Sequence, residues 1–521
     1  MAFAMVLAPT LVYGQTQAGT LDASFGNGGT VTTDFAGAGD GAAAVAIQPD
    51  GKIVAAGTTV VGFDTEFALA RYNSNGTLDA SFGAGGRVTT AFGGRFEHAT
   101  SVAVGIDGKI VVAGGSVVGL FNDFALARYN VDGTLDAGFG AGGTVLTDFG
   151  VSAQAYSVAV QPDGRIVVAG EANIDGNFDF EVVRYNTDGT LDQSFGTGGK
   201  VSTDFGLLEQ GYSFALAYSV ALQPDGKILL AGEATFGTVN AQADFALARY
   251  NSDGTLDRSF GTGGKVTTNV GGGRDAAFSV AVQPDGKIVA AGLARFKFAL
   301  ARYTPSGALD ASFGTGGEVT TSIGGLTDWV NTIALEPDGK IIAVGLTFIN
   351  GSFQPALAQY NPSGTLDTSF GTGGKLTPTF GSGSGLSSVA VQQDGKIVVA
   401  GGVAVDEGSS DFLLARYAST ASESSADGTS GSSGNGTTGS SADGTTLPPA
   451  TQIVDDAGSV WTIGANQVIL RDGSQAAGGL GFQILWRGGT IYVLGVDNNW
   501  WQWTGAGWAF VGSGQSLAGL N

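Results

Sequence analysis

The sequence has no cysteine, a single histidine and two methionines in 521 residues. Without cysteine there is no disulfide framework, no thiol nucleophile and no thiolate metal site. A Ser-His-Asp triad or a histidine-based metal centre must use His98 or not exist, and a loop histidine is the expectation. Charge is sparse at 13% of residues, and it is one-sided: 24 basic against 46 acidic, a formal net of −22. Nucleic acid and anionic membranes both demand basic patches, so neither is expected as a partner. Long apolar runs are missing too. Ala2–Tyr13 spans 12 residues, too short to cross a bilayer. Followed by small residues at Gly14 and Ala18, it reads as the apolar core of an export signal over residues 1–18, although no Lys or Arg precedes it. The expected location is therefore secreted or cell-surface, with no membrane insertion.

What is abundant is glycine, 89 residues, and repetition. The run LDxSF begins at Leu21, Leu78, Leu135, Leu191, Leu256, Leu309 and Leu366, with spacings of 57, 57, 56, 65, 53 and 57. PDGK-type turns and FALARY-type runs also occur seven times each. A fixed period of that size marks a repeat architecture. Each unit resolves into four short strands. Ser279–Gln283 leads through Pro284-Asp285-Gly286, a tight-turn sequence, into Lys287–Gly292. Phe298–Tyr303 is the third strand, with Phe298, Leu300 and Arg302 on one face, and Gly316–Thr321 the fourth. Four antiparallel strands repeated radially describe a blade of a β-propeller.

The chain starts its repeats with a fourth-type strand, Gly28–Phe35, and ends them with a third-type strand, Phe412–Tyr417. The seventh blade can be completed only by pairing the two, which also removes the last open sheet edges. The expected fold is thus all-β: a seven-bladed β-propeller over residues 21–417, closed by its N-terminal strand. LDxSFGxGGxV, QPDGKIVVAG and FALARYNxDG resemble the bacterial delta-60 repeat family, which implies a propeller and export but no agreed activity. Departures from the family pattern include Gly138 for one LDxSF Ser and Gln359 for one FALARY Arg.

Residues 418–450 are Ser, Gly, Thr, Asp and Ala with no apolar period, a flexible linker. Residues 451–521 carry six of the seven Trp and form a second, small β domain. This domain resembles the Trp-rich modules found on secreted carbohydrate-active proteins. In Trp500-Trp501-Gln502-Trp503, strand alternation puts Trp501 and Trp503 on one face, and an exposed ring near Asp497 would make a sugar platform.

Several motifs read as structure. FGTGGKV (Phe195–Val201) lacks the first Gly and the final Ser or Thr of a phosphate loop, and close variants recur in nearly every blade. NSDGTLD (Asn251–Asp257) resembles a calcium loop, but its third position runs Asn75, Asp132, Asp188, Asp253, Ser306 and Ser363, which is turn chemistry. No cofactor is expected, with calcium the one ion worth weighing. The LDxSF Asp is present in all seven copies and the FALARY Arg in six, predicting a structural Asp–Arg pair.

Connections alternate between the two faces of the ring. One face carries the QPDGK and YNxDGT turns, which barely change. The other carries loops that vary in length and chemistry, and a face that recognises one ligand must break the sevenfold symmetry. Candidate binding residues there are Arg95, Glu97, His98, Asp275, Asp328 and Trp329, joined by Asp497 and Trp501 in the C-terminal module. The favoured function is an exported, monomeric binding or scaffold protein taking a polysaccharide or a surface protein. The alternative is a secreted glycoside hydrolase, which needs two converging carboxylates among Glu97, Asp275, Asp328, Asp406 and Glu407.

Overall fold

In the computed structural model the described residues are 18–35, 39–174, 176–206, 214–235, 242–381, 383–406 and 409–418, then 446–447, 453–454, 459–463, 468–471, 474–487, 490–495, 499–504 and 508–513. The expected export signal (1–18) and linker (418–450) lie almost wholly outside them, as do Asp497 and Glu407. Among the described residues every regular element is a strand.

Blade one is Asp40–Ile47, Ile53–Val61, Asp64–Tyr72 and Arg87–Thr90, hydrogen-bonded in that order. The same order recurs in blades that begin at Arg95, Ala153, Phe214, Asp275 and Asp328. In the seventh blade Gly385–Val391, Ile397–Asp406 and Ser409–Tyr417 are completed by Thr30–Thr33 from the start of the chain. The register there is Thr30↔Ala415 through Thr33↔Phe412, antiparallel. The all-β fold, its seven blades and its strand-swapped closure are those the repeat phase demands.

First strands of neighbouring blades touch all the way around the ring, so they form the inner wall. Second and third strands are buried on both faces, which explains why they read as near-continuous apolar runs rather than alternating ones. The core lies between blades, not within them. Leu229 and Phe245 of blade four pack with Ile288 and Tyr303 of blade five, and Ile53 and Tyr72 of blade one pack with Val398 and Phe412 of blade seven.

Each first strand carries a bulge, one unpaired residue between two ladder positions, such as Tyr156 between Ala155 and Ser157. Opposite the bulge sits a glycine whose Cβ would lie 1.9 Å from the Gly41 carbonyl at Gly57 and 1.7 Å from that of Leu216 at Gly232. The glycine kept within each second strand, Gly57, Gly114, Gly170, Gly232, Gly292, Gly345 and Gly401, is therefore a consequence of the bulge. The serine after the bulge staples blades together. The amides of Val45, Val158, Val220, Val280 and Ile333 donate to Ser388, Ser101, Ser157, Ser219 and Ser279 of the preceding blade at 3.1–3.2 Å.

The expected Asp–Arg pair is present and is part of a larger cluster. Arg302 Nε meets Asp310 at 2.9 Å, its guanidinium lies 4.6 Å from the centre of the Phe313 ring, and its Nη1 donates to the Pro362 carbonyl of the next blade. Lys287 of the PDGK turn adds a second cation at 3.3 Å. Arg416 repeats this across the closure, with Asp22 at 2.8 Å and the Ser74 carbonyl of blade one. In blade six Gln359 replaces the arginine. It donates to Glu336, which stands where most blades have Gln, while Asp367 keeps Lys340 at 3.0 Å. The Asp side chains of the YNxDGT loops hold their own turns: Asp253 Oδ1 accepts from the Thr255 amide (2.9 Å) and hydroxyl (2.6 Å).

The C-terminal module has a core of Trp461, Trp503 and Trp508, with ring centres 5.0–6.0 Å apart and tilted edge-on. Thr446–Leu447 pairs with Ile484 and Leu485 of this module, a few residues before position 451.

Two outcomes follow from the closure and its charges. Removing residues 21–36 takes away Asp22 and the completing strand, so the melting temperature should drop and the protein should aggregate; an unchanged melt refutes the closure. Burial pushes Asp22 and Asp192 up, but their Ser hydrogen bonds and adjacent cations more than offset it and hold both at about 2. Their folded pKa lies below the unfolded value, so the stabilisation is present above about pH 4 and is lost as the pH falls toward 2. Melting temperature should therefore decline steeply from pH 4 to pH 2, and a flat profile over that range overturns the assignment.

Candidate functional site

The two faces of the ring differ as their loops predict. The turn face is a sevenfold repeat, and a hollow of 440 Å³ on it is lined by Arg165, Arg184, Ser194 and Asp253, which belong to the recurring turn, FALARY-type and LDxSF-type motifs. On the variable face the tips of the second-to-third-strand hairpins expose large apolar side chains: Phe63 is 96% exposed, Leu120 91% and Phe296 63%.

Three expected site carboxylates on this face are turned inward. Glu97, Asp275 and Asp328 are buried at the start of their first strands. Each accepts the backbone amide five residues earlier: Phe92 to Glu97 at 2.9 Å, Val270 to Asp275 at 2.8 Å, and Ile323 to Asp328 at 2.8 Å. Asp40 does the same for Phe35 at 2.6 Å. The carboxylate holds the bend by which the chain passes from one blade to the next. Burial raises Asp275 to about 6, with the Val270 amide opposing and Asp244 adding to the rise. Asp328 also accepts the Thr347 hydroxyl at 2.5 Å.

The other expected residues lie apart. Arg95 is exposed and pairs with Asp64 at 3.1 Å beside Phe96, which adopts a left-handed φ of 52°. His98 bonds Gln154 of blade three through Nε2 at 2.8 Å and the Phe96 carbonyl through Nδ1 at 3.0 Å. Trp329 is half-buried against Phe353 (ring centres 4.9 Å) and donates Nε1–H to Asn331 at 2.9 Å. Trp501 is half-buried and pairs across the strand with the buried Val493; the bulge between Trp500 and Trp501 interrupts the simple alternation.

The strongest break in symmetry involves residues the sequence reading passed over. The bulge position of the inner strand is Tyr156 in blade three, Tyr218 in blade four and Phe278 in blade five, against Ala43, Thr100, Asn331 and Ser387 elsewhere. Because the bulge turns these side chains out of the ladder, they meet across blades. Tyr156 and Tyr218 lie 5.1 Å apart by ring centre, and Tyr218 and Phe278 5.0 Å. The second strand carries a matching exception. Glu171 and Glu233 of blades three and four occupy a position that is Thr58, Gly115, Leu293, Leu346 or Gly402 in the others.

The two glutamates are set differently. Glu233 is fully buried, accepts the Tyr218 hydroxyl at 2.7 Å, and takes both Arg274 Nε (2.8 Å) and Nη2 (2.6 Å), a two-pronged ion pair. Glu171 has no cation. Burial, opposed by a Tyr156 hydrogen bond and reinforced by the Glu233 charge, pushes it up to about 7. Its Oε2 is buried with no hydrogen-bond partner. Burial first, then the neighbouring carboxylates, raises the Tyr156 and Tyr218 hydroxyls well above the usual tyrosine range. Three aromatic rings, one protonatable carboxyl and one arginine thus sit at the inner wall of three adjacent blades. Blades three and four are further knit by the bridge Phe178↔Phe214. A sevenfold column alignment shows the tyrosines and glutamates as joint exceptions, and that was the available signal.

Fold and repeat pattern together define a seven-bladed β-propeller repeat protein. Residues 48–82, 107–139, 161–195, 223–260, 283–313, 336–370 and 392–420 each match the family model described as "Domain of unknown function (DUF5122) beta-propeller", one segment per blade. No curated protein matches the sequence. Among solved structures, the chain is similar to Sqt1 from Chaetomium thermophilum (15% identity, 70% of this chain and 80% of that one, TM-score 0.38). It is also similar to a catalytically inactive virginiamycin B lyase from Staphylococcus aureus (12%, 74% and 98%, 0.43) and to polysaccharide lyase Uly1 (14%, 78% and 93%, 0.41).

The asymmetry of the glutamates is measurable. The folded pKa of Glu171 lies above its unfolded value, so its ionisation costs stability as pH rises from about 4.5 through 7. Glu171→Gln should raise the melting temperature at pH 8 and leave it nearly unchanged at pH 5. An equal effect at both pH values removes the basis for a shifted carboxyl.

Proposed function

We propose that this is an exported binding protein that holds an extracellular glycan on the variable-loop face of the propeller, against the arc of Tyr156, Tyr218 and Phe278. The supporting observation is that arc, which occurs in three adjacent blades of seven and comes with its own glutamates and Arg274. A contact repeated in every blade serves the ring, whereas a single ligand needs a feature the ring does not repeat. Half-buried aromatic faces beside carboxyl, amide and guanidinium groups suit a sugar, which presents C–H faces and hydroxyl edges together.

Export rests on the apolar run near the N-terminus and on the resemblance to delta-60 repeats. The low basic content fits a partner that is neither nucleic acid nor anionic lipid. The Trp-rich module is a second glycan-binding candidate through Trp501, although three of its tryptophans are occupied with one another.

A glycoside hydrolase has one observation in its favour, a carboxyl raised to about 7 near a second carboxylate that is paired with arginine. Against it, Glu233 is wholly enclosed and committed to Arg274 and Tyr218, so it has no free oxygen for a sugar carbon. Binding without bond cleavage is the better reading.

Screening the purified protein on an array of bacterial and plant polysaccharides should give a defined ligand set. Tyr156→Ala and Tyr218→Ala should each weaken binding about tenfold, as expected for one lost stacking contact. Ile106→Ala, exposed on the turn face, should not weaken it. If binding is found and survives both tyrosine changes, the ligand sits elsewhere; if only proteins are captured, the glycan assignment fails.

A further inference from the structure

At the closing seam three carboxylates converge. Asp34 follows the N-terminal strand that completes blade seven, Asp411 lies on the neighbouring strand Ser409–Tyr417, and Asp40 opens the first strand of blade one. One oxygen from each lies within 4.8 Å of the other two. Among the described residues no other group of three or more carboxylate or imidazole side chains meets that spacing.

A cluster of acids alone is unremarkable in so acidic a chain. Asp40 makes this one different. It is 98% buried, since only 2% of its surface is exposed, and its Oδ2 is used by the Phe35 amide at 2.6 Å. Its Oδ1 is equally buried and has no hydrogen-bond partner. A buried carboxylate oxygen left unmatched costs stability unless a proton or a cation meets it. Arg87 donates to the Asp34 backbone carbonyl at 2.5 Å, a contact that does not involve the Asp40 carboxylate.

The other seams show how the cluster is avoided elsewhere. Between blades four and five the position of Asp34 is Asn269, whose amide donates to Asp244 at 3.0 Å. Between blades two and three the position of Asp40 is Ala153. Across all seven seams, only the closing one has an acid at all three positions.

We propose that Asp34, Asp40 and Asp411 bind one calcium ion that clasps the ring shut. The donors are all oxygen, with no nitrogen or sulfur, which selects a hard cation over zinc or copper. Three separate carboxylates with water completing the shell suit the flexible six- to eight-fold coordination of calcium better than the strict octahedron of magnesium. The ion would tie together three segments: the first strand of the chain, the last strand of the repeats and the first blade. Extracellular calcium at millimolar levels would keep a weak site filled, and the ring would loosen where calcium is scarce. This site is separate from the aromatic arc, and the proposal does not depend on glycan binding.

The test uses the full chain, freed of metal with a chelator and dialysed, and calcium alone as the probe. Adding 1–5 mM calcium, roughly the extracellular range, should raise the melting temperature by several degrees, and the same magnesium should raise it less. Terbium luminescence should titrate one site per chain that calcium competes away. Asp34→Asn and Asp411→Asn should each abolish the calcium-dependent shift in a chain that still melts cooperatively. Asp244→Asn, at the seam between blades four and five, should keep the full shift. A melt insensitive to calcium overturns the proposal. So does a shift that survives in the folded Asp34→Asn, Asp411→Asn double variant, because the ion then binds elsewhere.

Discussion

The structure depends on one buried guanidinium in each of six of its seven blades. Apart from the Phe178↔Phe214 bridge the blades are separate sheets, so the seams are held by side chains and isolated backbone bonds such as Gly261 N–H to Ser306 O rather than by a continuous ladder. Arg302 shows how. It pairs with Asp310, lies over Phe313 and donates to a carbonyl of the following blade, so one side chain locks the third strand, the loop after it and the neighbour. Such a buried charge is tolerable only because every donor has a partner, and Lys287 shares the same carboxylate. Where the arginine is lost, at Gln359, its neighbour changes with it: Glu336 replaces Gln and is pushed up to about 7, chiefly by burial, so that at neutral pH it carries only part of a charge.

Around that framework three kinds of departure carry different meanings. On the turn face the loss of the arginine at Gln359 is matched locally by Glu336. Departures at the inner wall of blades three to five reinforce one another: the bulge tyrosines, the second-strand glutamates and Arg274 make a group that no other blade has. The closing seam is a third kind. It joins segments nearly four hundred residues apart, where Asp22 meets Arg416 and Asp40 approaches Asp411. It is the one seam whose halves come from opposite ends of the repeats, and the one with three acids together.

Much of this was readable from the sequence because repetition averages out noise. Seven copies of LDxSF, PDGK and FALARY define four strands per unit, and the phase of the first and last copies requires the closure between Thr30–Thr33 and Ser409–Tyr417. An Arg kept on an apolar strand and an Asp kept at constant spacing in the connection after it had to be paired, since the Arg could not be buried alone. The loops separate into a constant and a variable face by alternation alone.

Tertiary structure decided the rest, because it depends on where side chains turn once strands are placed. Glu97, Asp275 and Asp328 fall in variable loops, yet each folds back onto a backbone amide and is buried. Tyr156, Tyr218 and Phe278 look like ordinary strand residues until the bulge rotates them toward one another. The recurrent strand-two glycine exists because that bulge brings a carbonyl within 2 Å of where a Cβ would be. Asp34, Asp40 and Asp411 are brought together only by closing the ring. Periodicity in a sequence states which strands exist and in what order they pair; the direction of a single side chain is set by bulges and seams, which leave no period to read.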